Sequence, residues 1–522
     1  MSNKTQEILD LYKSKVMPTY APSVVIASGK GITVRDVDGR SYYDFTSGIG
    51  VQAVGHCHKK VVDAIRSQAS TLTHCSNLFA NEPATRLAEK LVALSGLGGK
   101  AFFCNSGAEA NEAAIKLARK WGAANGGRYE IVTMRQGFHG RTLATVAATA
   151  QAWCPDGFDP LPVGFAYADY NNLESVKAAV NDKTVAIMLE AVQGEGGVTP
   201  ATDEFMKGVR ALCDEKNLLM IVDEVQAGFG RAGTWFAWQG YDVKPDMFTL
   251  AKALGGGLPM GALISNTALA DVLAAPCHAS TFGGNPVSAA AGLAVIDVIE
   301  REGLLENAVK IGNLLREALQ GFVDKYDKLL EVRGKGLMLG LVVDGDVKPI
   351  LEALQVQGLL ALSAGKNVVR FLPPLTLGED DLEDAVDMMS DALDEVFGGC
   401  RLPALGHPVA PDRHRRLLAD RLRCRKSAAD EGFRQASGRV AELPQVPEHD
   451  AFGLNLPDCL GDVYSAPGEE EPEVGATPCR SELFLAALAA VARVVEEPVP
   501  DADLERSREV YQVVVVVDER RP

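Results

Sequence analysis

Positive charge is scarce in this 522-residue chain: 52 lysines and arginines stand against 69 acids, a formal net charge of −17. That deficit argues against a general nucleic-acid binder, which needs cations to neutralise a phosphate backbone. Long apolar runs are missing too. None approaches the roughly 18 residues of a membrane span, and the longest candidate, 482-ELFLAALAAVARVV-495, is broken by Arg493. The opening MSNKTQEILD lacks the basic-then-apolar layout of a secretory signal. Ten cysteines fall without a CxxC or a metal-like spacing, in a chain too long to need disulfide staples. The expectation is a cytoplasmic protein with reduced thiols, no bound metal, no membrane partner and no nucleic acid. Nucleotide loops are also lacking. The segment 96-GLGGKA does not have the GxxxxGK[ST] spacing of a P-loop, and no GxGxxG follows the first strand of a βαβ unit. These absences weigh against a nucleotide-binding protein or dehydrogenase built on a glycine-rich loop.

What is present is an ordinary globular balance, 47% hydrophobic and 23% charged, in a chain long enough for two to four domains. From about residue 100 to 265, short apolar runs alternate with helical patterns: 101-AFFCN, 130-EIVTM, 185-VAIMLEAV, 218-LLMIVDEV, 247-MFTLA and 261-GALIS. The runs are continuous rather than alternating, as in strands buried on both faces. Strand and helix in alternation predict an α/β fold with a mostly parallel central sheet. Ligands in such sheets sit beyond the carboxyl ends of the strands.

After about 290 the pattern shifts to a smaller α+β domain, built from 286-PVSAAAGLAVIDVIEREG-303, 331-EVRGKGLMLGLVV-343, 368-VVRFLPPL-375 and 379-EDDLEDAVDMMSDALDEVF-397. In the last of these, Leu382, Ala385, Val386, Met389, Leu393 and Val396 follow helical spacing. The division expected is 1–60, packing with the small domain; 61–290, the large domain; 291–398, the small domain; and 399–522, an appended tail. Residues 401–522 hold fifteen arginines but one lysine, Lys426, with frequent proline and a lone 513-VVVVV-517. That composition reads as a segment of different origin, partly disordered.

Two ionisable residues end neighbouring apolar runs: Asp223 closes 218-LLMIVD and Lys252 closes 247-MFTLA. Singly, Asp223 reads as a cap or structural ion pair, and Lys252 as a snorkelling surface cation. Together, an acid and an amine facing one crevice suit a cofactor with a basic ring nitrogen and an aldehyde. Pyridoxal phosphate has both. Such a cofactor needs an anion site, and 105-NSGAEANEAAIKLARK places Ser106, Gly107 and Ala108 at a helix start, where free N–H groups and the dipole favour phosphate. In 137-GFHGRT-142, Phe138 can stack on a planar ring and Arg141 can hold a carboxylate. Each alone reads equally as an N-cap, a core aromatic or a surface cation.

The motifs 105-NSGAEANEAAIKLAR, 137-GFHGRT, 190-EAVQGEGG, 222-VDEVQAGFGRAG, 249-TLAKALGGGLPMGA and 280-STFGGNPVSAAA, in this order, resemble class III, fold-type I, PLP-dependent aminotransferases. The resemblance covers residues 1 to about 398. Within the class, 47-SGIGVQAVGHCH-58 and 73-THCSNLFANEPATRLAEKL-91 are most similar to the acetylornithine aminotransferases. The resemblance implies roles. Lys252 is the Schiff-base lysine and Asp223 the partner of the ring nitrogen. Gln226 lies near the ring hydroxyl, with Glu224 and Val225 in the same cofactor-binding run. Ser106, Gly107 and Ala108 form the phosphate turn, and Phe138 stacks on the ring. Ser280 and Thr281 belong to a segment that crosses a homodimer, Thr281 binding the neighbour's phosphate and Ser280 lying near substrate. Arg141 contacts a substrate carboxylate, Arg370 a second one, and Glu195 screens Arg370. The three glycines at 255–257 clear space beside the cofactor. The implied reaction transfers the amino group of N2-acetyl-L-ornithine to 2-oxoglutarate, a step of arginine biosynthesis. Ornithine, succinylornithine, 4-aminobutyrate and putrescine are the alternative donors. A PLP-fold protein without activity, acting as a binding partner, is the reading from another class.

Overall fold

The computed structural model describes residues 3–151 and 157–398; the expected tail at 399–522 lies outside the described residues. A helix at Asn3–Lys15 precedes three antiparallel N-terminal strands, β1 (Ile26–Lys30), β2 (Thr33–Asp36) and β3 (Ser41–Asp44). Then come β4 (Gly98–Cys104), β5 (Glu130–Met134), β6 (Phe165–Ala168) and β7 (Thr184–Glu190). A two-residue hairpin, β8 (Val192–Gln193) with β9 (Thr199–Pro200), precedes β10 (Leu219–Asp223), β11 (Met247–Leu250) and β12 (Gly261–Asn266). Seven of these strands form the central sheet in the order β4-β12-β11-β10-β7-β5-β6. Only β12 runs antiparallel to its neighbours, so the sheet is the mostly parallel one expected.

The reason is visible strand by strand. Every residue of β7, β10 and β11 is buried, because helices cover both faces and leave no side for polar residues. β6 has no apolar-run signature in the sequence, because it is only four residues long and partly exposed at the sheet edge. The helix Gly107–Ala124 starts cleanly, since Ser106 Oγ accepts from Glu109 N at 3.2 Å and Glu109 sits in the first turn. It buries Ala110, Asn111, Ala113, Ala114, Ile115, Leu117 and Ala118. Alanine on that face lets the helix lie close to the sheet.

Further along, β13 (Leu329–Lys335), β14 (Met338–Val343), β16 (Leu362–Ala364) and β17 (Val368–Phe371) form a second sheet in the order β13-β14-β17-β16. The short β15 (Leu359–Leu360) instead pairs in parallel with β3. The helix Glu379–Phe397 buries Leu382, Ala385, Val386, Met389, Ala392 and Leu393; Val396 is half-buried near its end. Among the described residues no helix is long and apolar enough to cross a membrane.

Candidate active site

Parallel register sets the site. Asp223, the last residue of β10, lies beside Glu190 at the end of β7 and Thr249 in β11. Lys252 follows Thr249 by three residues, and the turns after β4 and β5 carry Ser106–Ala108 and Phe138–Arg141. One crevice of about 470 Å³ is lined by side chains from all of these turns, among them Ser106, Gly107, Phe138, Asp223, Gln226 and Lys252.

Asp223 is buried and held by three donors. Asn111 Nδ2 reaches its Oδ2 at 2.7 Å, the His139 ring Nδ1 lies 2.8 Å from the same oxygen, and Val225 N donates to Oδ1 at 3.0 Å. Thr249 Oγ1 in turn donates to Asn111 Oδ1 at 2.7 Å. Burial works against a proton on His139, but the bond to Asp223 and its charge, aided by Glu190, raise its pKa above the ordinary histidine value. Its Nε2 is buried without a partner among the described residues. Glu190 accepts from Phe138 N at 3.1 Å and from Gly194 N at 3.2 Å. Burial raises its pKa to about 7, with His139 opposing and Asp223 adding to the rise.

Lys252 takes a left-handed φ of 48°, a costly conformation for a residue with a Cβ. It opens a short 3-10 turn, Lys252–Gly255. Burial lowers its pKa to about 8; Glu195, Asp223 and Glu190 oppose that fall and Arg370 adds to it. The glycines that follow divide their reasons. At Gly256 a Cβ would lie 2.9 Å from Val295 Cγ2 and 3.1 Å from Val61 Cγ1, so helix packing excludes a side chain there. Gly257, at φ 102°, faces the crevice against Gln52.

Arg370, in the middle of β17, is buried and forms a 2.6 Å ion pair with Glu195, which sits in the loop between β8 and β9. Gln226 bridges the pair. Its Oε1 accepts from Arg370 at 2.9 Å, and its Nε2 donates to Glu195 at 3.3 Å. Burial pushes the Glu195 carboxyl up, but Arg370 more than offsets this and holds it below the usual value. Arg141 is exposed, with its guanidinium 5.3 Å from the Phe138 ring centre.

Five expected site residues do not line this crevice: Glu195 and Arg370, paired as above, Glu224, Ser280, and Thr281, expected at a neighbour's site. The Glu224 carboxylate is turned into the protein, accepting from Ala237 N at 2.8 Å and Trp238 N at 2.9 Å; burial raises its pKa to about 8. Ser280 Oγ accepts from Gly283 N at 3.0 Å and lies 3.3 Å from Asn105 Nδ2. Neither Ser280 nor the exposed Thr281 lines the crevice of its own chain. Conversely, Asn111, His139, Glu190 and Thr249 belong to the site and were not singled out in the sequence. Glu190 obeys the same rule as Asp223, an acid closing an apolar strand. Asn111 and Thr249 carry no such signal, because a polar residue inside a helix or strand reads as solvated.

The arrangement fits pyridoxal phosphate by its own geometry. A Cβ on Gly107 would stand 2.8 Å from Val225 Cγ1, so the glycine leaves a gap at a helix N-terminus where phosphate is favoured. Phe138 borders the crevice, and Asp223 and Lys252 supply its acid and amine. Fold and site together define a pyridoxal-phosphate enzyme on an α/β scaffold. Residues 16–393 match the family described as Aminotransferase class-III. The chain is 47% identical to an acetylornithine aminotransferase of Methanocaldococcus jannaschii over 392 residues, covering 74% of this chain and 97% of that protein. It is 42% identical over 406 residues to an acetylornithine/succinyldiaminopimelate aminotransferase of Yersinia pestis, covering 76% of this chain and 100% of that protein. Among solved structures, ornithine aminotransferase from Toxoplasma gondii, crystallised with partial occupancy of PLP, matches with a TM-score of 0.72 and 32% identity, over 75% of this chain and 94% of that one. Acetylornithine aminotransferase from Elizabethkingia anophelis matches with a TM-score of 0.67 and 34% identity, over 75% and 99%. The chain belongs to the class-III aminotransferase family.

Proposed function

We propose that the enzyme transfers the terminal amino group of N2-acetyl-L-ornithine to 2-oxoglutarate, giving N-acetylglutamate 5-semialdehyde and glutamate in arginine biosynthesis. The observation that carries this reading is identity of 42–47% to acetylornithine aminotransferases and acetylornithine/succinyldiaminopimelate aminotransferases along nearly their whole length. Pyridoxal phosphate, when bound, supplies an aldehyde that takes the amino group and a ring that spreads the charge of the deprotonated substrate carbon. The chain's own residues do the rest. Ser106, Gly107 and Ala108 hold the phosphate, Phe138 fixes the ring plane, and Asp223 keeps a proton on the ring nitrogen. Lys252 Nζ moves a proton to and from the substrate carbon, a task suited by a pKa near 8.

Two substrates of different shape share the site. 2-Oxoglutarate carries two carboxylates, for which Arg370 and Arg141 are available. The donor presents one carboxylate, to Arg141, and its amine reaches Lys252 while Glu195 covers Arg370. The ion pair with Gln226 corresponds to the donor arrangement. Replacing Glu195 with glutamine leaves Arg370 uncovered and buried. The donor half-reaction should then slow at least tenfold more than the acceptor half-reaction, since an uncompensated buried charge costs a few kcal/mol. Stopped-flow measurement of each half-reaction checks this, and equal effects contradict it.

A panel of ω-amine donors with 2-oxoglutarate tests the donor. Acetylornithine should have the highest kcat/KM; a higher value for ornithine, succinylornithine, 4-aminobutyrate or putrescine assigns that donor instead. The enzyme acts as a homodimer in this reading. Leu78 is 87% exposed, Phe79 69% and Phe282 59%, an apolar patch on two segments joined by Asn77, whose Nδ2 donates to Ser280 O at 2.8 Å. A second copy covering this patch would bring Thr281 to its neighbour's phosphate. Light scattering that reads a single chain mass contradicts the dimer. A cytoplasmic location accords with the free thiols of Cys57, Cys75, Cys104, Cys213 and Cys277; fractionation of cells tests it.

A further inference from the structure

Arg231 is anomalous. It is among the largest side chains in the protein that are fully buried, 2% exposed, and no carboxylate pairs with it in any ion pair among the described residues. A lone buried cation is destabilising, and burial alone lowers its pKa to about 10, still leaving it charged at neutral pH. Its partners are backbone carbonyls instead. Nη1 donates to Leu337 O at 3.1 Å and to Pro373 O, while Leu337 N donates back to Arg231 O at 3.0 Å. Nη2 is buried without a partner among the described residues.

These contacts join two segments that carry the acceptor machinery. Arg231 follows Gln226 by five residues, and Pro373 follows Arg370 by three. In the run after β17, Pro373 and Pro374 have no N–H to donate, and Asn307 Nδ2 donates to Leu375 O at 2.6 Å and Leu377 O at 3.0 Å further along. Leu372 N donates to Phe45 O and Leu375 N to Ala53 O, both at 2.7 Å, which leaves the Pro373 carbonyl to Arg231. The approach is close enough to demand glycine on both sides. A Cβ on Gly230 would lie 2.8 Å from Leu375 Cδ1, and one on Gly336 would lie 2.6 Å from Arg231 O.

We infer that Arg231 is a positioning residue for the acceptor substrate: by bonding Pro373 O and Leu337 O, it locks the Gln226 loop to the strand that presents Arg370. It does not touch substrate. Its geometry serves this role, because the rigid guanidinium plane holds the two N–H groups of Nη1 toward both carbonyls at once. The inference rests on the proposed role of Arg370 in holding a carboxylate of 2-oxoglutarate.

The test compares R231M, R231K and R370A in the pyridoxal-phosphate-loaded enzyme, with the two half-reactions measured separately. In R231M, the KM for 2-oxoglutarate should rise at least tenfold, while kcat/KM for the amino donor stays within threefold. R231K keeps the charge and much of the volume, but its shorter side chain and freely rotating ammonium cannot hold two N–H groups in the place of Nη1, so the same KM should rise three- to fivefold. Hydrogen exchange across residues 369–377 should quicken in both variants, with exchange across the helix Gly107–Ala124 unchanged. An unchanged acceptor KM with unchanged exchange overturns the inference, as do losses of equal size in both half-reactions. If R231M does not fold, the R231K measurements decide alone. R370A separates the two claims. If R370A leaves the acceptor KM unaltered, the assignment of Arg370 fails; if it raises that KM and the Arg231 variants do not, only the positioning role fails.

Discussion

Replacing Lys252 with alanine is expected to lower kcat by roughly 10⁴-fold or more, with the cofactor still bound by its phosphate and ring contacts. In the proposed mechanism the change removes two functions at once: covalent capture of the aldehyde and transfer of a proton at the substrate carbon, the latter alone worth about 10²- to 10⁴-fold. Single-turnover kinetics with each substrate read the loss; retention of more than one per cent of the rate contradicts the assignment. The substitution also has a signature in stability. The amine's pKa falls from 10.5 to about 8 on folding, so between those values the unfolded chain binds more protons than the folded one. Stability of the cofactor-free protein therefore rises with pH across that window. The alanine variant lacks this contribution, and the difference between the two stability curves isolates it.

Replacing Asp223 with asparagine is the second large effect, a loss on the order of 10³-fold in kcat, the scale of removing one aligned electrostatic partner from a buried site. The amide has nearly the same shape but one acceptor oxygen in place of two. Asn111 Nδ2, His139 Nδ1 and Val225 N all converge on the present carboxylate, so one donor must lose its partner or the amide must face an N–H. The nearby charge that raises the His139 pKa also disappears, and in the proposed mechanism the ring nitrogen loses the group that keeps it protonated. The loss should fall on kcat rather than on the KM of either substrate, because in the proposed arrangement Asp223 faces the cofactor and not the carboxylates. Steady-state kinetics with both substrates varied test this; a loss smaller than tenfold, or one confined to KM, contradicts it.

Much of this arrangement is legible in the sequence because burial on both faces removes polar residues from a strand's interior. An acid or amine at the end of a continuous apolar run then stands out, as Asp223 and Lys252 do. The same signal was available at Glu190 and was masked by the apolar residues that follow it in 185-VAIMLEAV. Arg370 sits inside β17 rather than at its end, and its pairing with Glu195 came from family likeness rather than from pattern. His139 sits in 137-GFHGRT-142 beside Phe138 and Arg141, whose ring and charge carry the local signal of that motif. Its contact with Asp223 spans 84 positions, a separation that no local pattern encodes. Asn111 is hidden for the same reason, since only the tertiary fold turns it onto Asp223. Glu224 misleads in the opposite direction. It stands next to Asp223 in sequence, but alternation along an extended chain turns its side chain away, to the amides of Ala237 and Trp238. The N-terminal antiparallel strands and β15 are short, and their pairing across more than 300 residues, Tyr43 with Leu359, again depends on the assembled fold.

The central claim is that Lys252 and Asp223 operate one pyridoxal-phosphate site that accepts acetylornithine and 2-oxoglutarate in turn. The most direct measurement is the visible absorption of the purified, cofactor-loaded protein. Its yellow band should bleach on addition of acetylornithine and return on addition of 2-oxoglutarate, and the K252A variant should show no such cycle. A protein that stays colourless after pyridoxal phosphate is supplied, or a band that acetylornithine leaves untouched, contradicts the account.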